Sequence, residues 1–276
     1  MKDVEPEGRN SLVDPRAMAR HYVVKSTSLP SESQGPSPAG ELEENKSGIK
    51  RHYTEAFVMR PEVLQAFIDF AKEKDEKNAQ IIIDAVKANN RDDLHLTIKG
   101  YTRNNGLSKF IHEDLEKKEH VYQITGPMGR GLNASQGGRH IAFCAGTGVL
   151  VFVDMIGHLI LRQVAAQGGP DVLARLRELP EYADATVLPN NFKFELHTAF
   201  ADKDEAIALP LIEVLESLDP EKKTFEHFGS LSKGGDKPPV RWDEARFKEL
   251  FATVDATKIW VCGPPIMQES FDRAVM

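Results

Sequence analysis

Cysteine is scarce in this chain of 276 residues: there are two, Cys144 and Cys262. Two thiols cannot build a disulfide framework, and both lie in apolar runs, so the expected home is the cytoplasm or another reducing intracellular compartment. Basic residues fall short of acidic ones, 35 Lys and Arg against 42 Asp and Glu, which leaves a net charge of −7. No basic patch therefore points to nucleic acid or to an anionic lipid surface. Residues 1–20 hold no apolar run of the kind a secretory signal needs. His112, His120, His158, His197 and His227 fall into no ligand spacing with cysteine or carboxylate, so no zinc or iron site is expected. No Ser-His-Asp arrangement is legible from chain order either. Long hydrophobic runs are confined to Ile141–Leu161, close to the roughly 20 residues that a membrane span requires. Gly146-Thr147-Gly148 interrupts that run and Asp154 and His158 follow, which fits a buried strand, a tight turn and a helix better. Membrane association through a partner or a preceding segment stays open.

What is present is an ordinary globular composition, 41% hydrophobic, long enough for one large domain or two smaller ones. Ser26–Gly48 is rich in Ser, Pro, Glu and Gly and reads as a mobile loop, because it cannot bury enough apolar area to order itself. The runs on either side, His21–Ser26 and Ile49–Thr54, read as strands of one hairpin. Leu64, Phe67, Ile68 and Ala71, then Ile81, Ile82, Ile83 and Val86, predict a helical pair. Leu94–Lys99 alternates as a half-buried strand does. A short helix is expected over Lys109–Leu115 with Ser108 as its N-cap. Val121–Ile124 predicts a strand that ends at Gly126-Pro127-Met128-Gly129. From Arg139 onward strand-like and helical segments alternate: Ile141–Cys144, a helix through Leu161, Phe192–Thr198, a helix through Leu215, a helix over Asp243–Phe251, and Ile259–Cys262. That alternation implies a doubly wound parallel sheet.

Two motifs carry chemistry. Cys144-Ala145-Gly146-Thr147-Gly148-Val149 places a Gly-x-Gly turn between a strand and a helix. Glycines there let a diphosphate approach backbone N–H groups at the helix start, or serve packing alone. The third glycine of the dinucleotide fingerprint is absent. Trp260-Val261-Cys262-Gly263-Pro264-Pro265 ends the last strand, on the edge where open α/β sheets bind ligands. A lone cysteine there also suits a small buried hydrophobe. Upstream, Arg51-His52-Tyr53-Thr54 puts a permanent charge, an aromatic ring and a hydroxyl on one strand, which suits a flavin with its phosphates and equally suits an ordinary mixed strand.

Together these motifs resemble the ferredoxin-NADP reductase-like superfamily, in particular its cytochrome b5 reductase branch. Val121–Leu132 resembles the Gly-Pro-x-Gly strand end leading from flavin barrel to nicotinamide domain, and Arg51–Thr54 the Arg-x-Tyr-Ser/Thr flavin motif, with His52 in the place of a common proline. The resemblance implies α/β plus β architecture: a partial flavin-binding antiparallel β-barrel followed by a doubly wound nicotinamide-binding domain. It implies an N-terminal segment over residues 1–20, a barrel-like part over 21–135 with a helical insertion at about 55–93, and an NAD(P)-binding part over 136–276. By resemblance Arg51 meets the FAD diphosphate, Tyr53 packs on the flavin ring, and Thr54 bonds near its reactive nitrogen. Asn105-Gly106-Leu107-Ser108 resembles the Gly-x-x-Ser start of a diphosphate-binding helix, with Asn105 in a glycine's place. Gly146, Thr147 and Gly148 are implied to hold the NAD(P) diphosphate, and Cys262, Gly263 and Pro264 to border the nicotinamide; Cys262 is not expected to be a nucleophile. Val149-Leu150-Val151 departs from the usual Ile-x-Pro.

In Ala201-Asp202-Lys203-Asp204 an acid stands where a 2′-phosphate would be bound. That favours NADH over NADPH, although the same residues also suit a solvated acidic loop and Lys203 acts in the opposite sense. The expected activity is electron transfer from NADH through FAD to a haem domain or another electron-acceptor protein. Fewer strands precede Arg51 than a six-stranded barrel needs. The expectations that follow are a longer natural protein, a partner subunit completing the barrel, or a decayed flavin site; the last makes the chain a non-catalytic, reductase-like interaction module.

Overall fold

His21–Ser26 (β1) and Lys50–Thr54 (β2) pair antiparallel, with Tyr22 opposite Tyr53 and Val24 opposite Arg51, so the expected hairpin forms. The computed structural model describes residues 19, 21–26, 50–55, 58–59, 64–65, 68–69, 72–73, 75–85, 87–88, 94, 96–100, 106–117, 121–129, 131–134, 136–168, 171, 174–175, 177–178, 188–233 and 240–276. The N-terminal segment apart from residue 19, the loop expected after Ser26, and Asn105 lie outside them. Val58–Met59 (β3) and Lys87–Ala88 (β4) form a short parallel pair, and Glu76–Ala85 (α1) lies between them in the chain. Tyr122–Met128 (β5) adds to the other edge of β1, giving the order β2-β1-β5. One face of this sheet packs on Leu107–Lys117 (α2): Val24 and Leu107 are buried, with Tyr53, Leu96, Phe110, Ile111 and Tyr122 against them.

Three local expectations change. Among the described residues of Leu94–Lys99 only Leu96 bridges to a neighbour, Glu55. The Ile98 carbonyl instead meets the His112 ring at 2.8 Å, so no ladder continues. Ser108 is not an N-cap: α2 starts at Leu107, and the amides of Lys109 and Phe110 donate to the Gly106 carbonyl, which places Ser108 inside the first turn. Strand β5 runs on through Gly126 and Pro127, because Gly126 has no Cβ to strike the Tyr22 ring 2.6 Å away.

The second half is a parallel sheet in the order β8-β7-β6-β9, built from Gly138–Ala145 (β6), Phe192–Phe200 (β7), Phe225–Leu231 (β8) and Lys258–Cys262 (β9). Ile141, Ala142, Phe143 and Cys144 are all buried, as a central parallel strand covered on both faces requires. A 3-10 turn over Gly146–Phe152 runs into Val153–Gln167 (α3), which with Leu209–Leu218 (α4) covers one face. Glu244–Phe251 (α5), capped by Asp243 through the Arg246 amide, and Pro265–Val275 (α6) cover the other, around Phe143, Phe247 and Met267. The stretch Gly146–Gln167 is long and apolar enough to cross a membrane, and its residues form the main buried core. Helix α1 packs on α4, and Leu64, Ile68 and Ile81 also lie against this core. The insertion thus reaches across to the parallel-sheet half.

Two half-buried histidines contribute to the acid limb of stability. Burial pushes His197 on β7 and His227 on β8 down to about 4; Glu195 opposes this at His197. The unfolded chain protonates both below about pH 6.5. Between those values the unfolded state binds more protons, so stability falls as pH falls through this window, by up to about 1.4 kcal/mol per pH unit for each histidine. Urea midpoints measured from pH 8 to pH 4 are expected to stay level above about pH 6.5 and drop below it. His227→Gln should flatten that drop.

Candidate functional site

The chain leaves β6 toward β7 on one side, and β9 returns to pair with β6 on the other. A crevice therefore opens outside the carboxyl ends of β6 and β9, the switch point where open α/β sheets hold ligands. Both sequence motifs end there, since Cys144 and Cys262 are in register as the last paired residues of the two strands. Gly146 has φ +53, and a Cβ on it would meet nothing within 4 Å, so the turn needs glycine for its backbone and faces open space. Gly148 lies so close to β9 that a Cβ would overlap the Cys262 carbonyl oxygen. Ala145, before the turn, is extended and supplies no side-chain cap to the amino-terminal N–H groups of the turn. Thr147 is half-buried beside them. Helix α6 opens on the far wall with Pro264 and Pro265 and likewise has no side-chain cap.

Burial raises the Cys262 thiol above its ordinary range, and raises Cys144 well above it, with Cys262 adding to the effect. Both are free thiols, neutral at pH 7, and unsuited to nucleophilic attack. Asp202 follows β7, whose Ala199 is in register with Ala145. One carboxylate oxygen of Asp202 accepts the Glu205 amide at 3.1 Å.

In the antiparallel half, Arg51 and Tyr53 share the β2 face that meets α2, and Thr54 points to the other face, opposite His21. The half-buried Arg51 guanidinium donates to the Lys50 carbonyl at 3.1 Å. Gly106 at the α2 start has open space where a Cβ would be, and Ser108 is half-buried in the first turn. A guanidinium and an open helix start fit a diphosphate. The Tyr53 ring is engaged with the small core around Val24 and Leu107, so only part of its face is left for stacking. The sheet brings Arg51, Tyr53, Gly106 and Ser108 to one side, and does not bring Thr54 with them. Among the described residues no group of three His, Cys, Asp or Glu side chains could hold a metal.

Chain order gave no sign of two polar contacts. Arg139 donates twice to the buried Glu195 carboxylate, at 2.7 and 2.8 Å, on the sheet face beneath α5. Lys99 and Glu205, far apart in the chain, pair at 2.6 Å.

Among solved structures, the CS-b5R domains of human Ncb5or in the NAD+ form match 93% of this chain at 14% identity, with a TM-score of 0.52. The chain spans 56% of that protein's length. The cytochrome b5 reductase domain of Ulva prolifera nitrate reductase matches 93% of this chain and 80% of its own, at 13% identity and TM-score 0.48. Flavohemoglobin from Malassezia yamatoensis matches 94% of this chain and 48% of its own, at 13% identity and TM-score 0.45. No protein-family model and no curated protein matches the chain. The strand order, the two turns meeting at its switch point and the likeness to the human domains agree on the fold: a three-stranded antiparallel sheet, part of a barrel, followed by a doubly wound parallel sheet, as in those domains.

Proposed function

We propose that this chain is a flavin-dependent oxidoreductase module that takes electrons from NAD(P)H, with NADH preferred, and passes them through FAD to a haem or another one-electron acceptor. The observation that carries this reading is the meeting of Gly148 with the Cys262 carbonyl at the mouth of β6 and β9. It joins the Gly-x-Gly turn to a second turn on one crevice. Gly146, Thr147 and Gly148 hold the dinucleotide diphosphate on backbone N–H groups. Cys262, Gly263 and Pro264 border the nicotinamide and keep water from it. Asp202 accepts from the adenosine ribose through its second oxygen, and Asp202 and Asp204 repel a 2′-phosphate, outweighing Lys203. Arg51 and the α2 start, with Gly106 and Ser108, bind the second diphosphate, and Tyr53 borders the ring. Thr54 would have to reach that ring from the strand end. FAD, when bound, supplies the conversion from a two-electron donor to single-electron delivery. A reducing intracellular compartment suits the two free thiols.

A second reading, a non-catalytic reductase-like subunit, draws on the Tyr53 ring being held in the small core. Val121, just before β5, and Ile124 within it are exposed, at 71% and 51%, and β5 is an edge strand that a partner subunit completing the barrel would cover. An absorption spectrum of the purified chain reconstituted with FAD, before and after anaerobic NADH, separates the two. Flavin bands that bleach support the enzyme; protein that stays colourless with FAD supports the subunit. In the enzyme, Cys262→Ser is expected to slow reduction by NADH about fivefold, the loss of one close contact, with FAD content unchanged. Unchanged hydride transfer would remove Cys262 from the site.

A further inference from the structure

We infer that Glu205 is a positioning residue for the ribose end of the dinucleotide crevice, acting through Asp202 and held in place by Lys99; this rests on the dinucleotide reading proposed above. Glu205 sits in the turn between β7 and α4. Its amide donates to Asp202 Oδ1 at 3.1 Å, and its carbonyl accepts the Ile207 amide at 3.0 Å. Ala206 and Ala208, on either side of Ile207, are buried in the main core. The backbone of the turn is therefore anchored from below. Its side chain is anchored from the other half of the molecule: Lys99 Nζ lies 2.6 Å from Glu205 Oε2, across 106 residues of chain, with the two side chains 30% and 40% exposed.

Lys99 itself is well fixed. Leu96 packs with Tyr53 in the small core and bridges to Glu55, and the Ile98 carbonyl is bonded to His112. Helix α1 packs on α4 just beyond the same turn, so the antiparallel half and its insertion hold this corner together. The electrostatic consequence concerns Asp202. Three acids, Asp202, Asp204 and Glu205, fall within four residues, and their mutual repulsion opposes the tight turn. The Lys99 ammonium against Glu205 offsets that repulsion, so the turn holds with one Asp202 oxygen on the Glu205 amide and the other free to aim at a ribose hydroxyl.

The test is a double-mutant cycle on the full-length chain, with ADP-ribose as the calorimetric probe and steady-state kinetics with NADH on the FAD-loaded protein. Lys99→Met and Glu205→Gln are each expected to weaken ADP-ribose binding about threefold to fivefold, the size of a partly exposed ion pair. The double variant should be no weaker than either single one, because the two changes remove the same contact. Lys99→Arg, which keeps the pair, should bind as the wild type does. KM for NADH should rise by the same factor with kcat unchanged, and high salt should narrow the gap between wild type and Lys99→Met. Additive losses, or single variants that bind ADP-ribose like wild type, would overturn the role of Glu205. Wild-type protein that binds no ADP-ribose would overturn the dinucleotide reading beneath it.

Discussion

Gly148→Val is expected to remove at least about nine-tenths of the affinity for ADP-ribose, a tenfold loss being about 1.4 kcal/mol, and to destabilise the fold by about 1–3 kcal/mol through overpacking. Any Cβ at this position overlaps the Cys262 carbonyl oxygen, lies 2.6 Å from the Cys262 carbonyl carbon and 3.1 Å from the Gly263 amide nitrogen. These are backbone atoms of a strand paired to β6 up to Cys144 and Cys262, so they cannot rotate away as a side chain would. Relief must come from spreading β6 and β9 at their carboxyl ends, which deforms the crevice where the two turns meet. Gly146→Ala is the comparison. Its backbone is left-handed at φ +53 but a Cβ there meets nothing within 4 Å, so only the backbone cost of about 1–2 kcal/mol applies. Urea unfolding and titration calorimetry with ADP-ribose on both variants read the difference. A Gly148→Val protein that binds ADP-ribose as tightly as wild type would show that the ligand does not use this crevice.

Asp219→Ala is expected to cost about 3 kcal/mol, the loss of charge-assisted hydrogen bonds together with the desolvation of buried donors. The Asp219 carboxylate accepts the amides of Lys223, Thr224 and Phe225 at 3.2, 2.7 and 2.9 Å, and it is 6% exposed. These bonds close the turn that feeds β8, so amide exchange should rise first along Phe225–Leu231. Asp219→Asn keeps one acceptor oxygen and should lose less. If urea midpoints for Asp219→Ala and wild type coincide, the turn is held by something other than this carboxylate.

Strand β8 also shows where sequence patterns stop being informative. Phe225-Glu226-His227-Phe228-Gly229-Ser230-Leu231 lies at the sheet edge, with Phe228 and Gly229 exposed. It has neither the continuous apolar run of a central strand nor a clean alternation. Strand β6 is the opposite case: four consecutive buried residues, Ile141 to Cys144, are what burial on both faces demands, and the same run followed by a helix read plainly in the sequence. The β1–β2 hairpin was legible as two strand-like runs flanking a Ser-, Pro-, Glu- and Gly-rich stretch that cannot bury enough apolar area to order itself. The Leu94–Lys99 alternation was regular, yet among its described residues only Leu96 bridges, and the Ile98 carbonyl is taken by His112.

The candidate site divides in the same way. Gly146, Gly148, Cys262, Gly263 and Pro264 stood out because a tight strand-to-helix turn restricts residue type locally, whatever the rest of the chain does. Arg51 and Tyr53 could be placed on one face by period-2 geometry alone, and Thr54 on the other. The engagement of Tyr53 with Leu107, the docking of α1 on α4, and the Lys99–Glu205 pair depend on which surfaces meet in space. Chain order holds no record of a contact made across 106 residues. By itself, then, the sequence determined the alternation of strands and helices, the apolar central strand and the two glycine-bearing turns, because backbone sterics and burial act on neighbouring residues. Only the tertiary structure decided that the two turns share one crevice and that an acid beside it is held by a lysine from the other half, because those depend on strand order and on long-range packing.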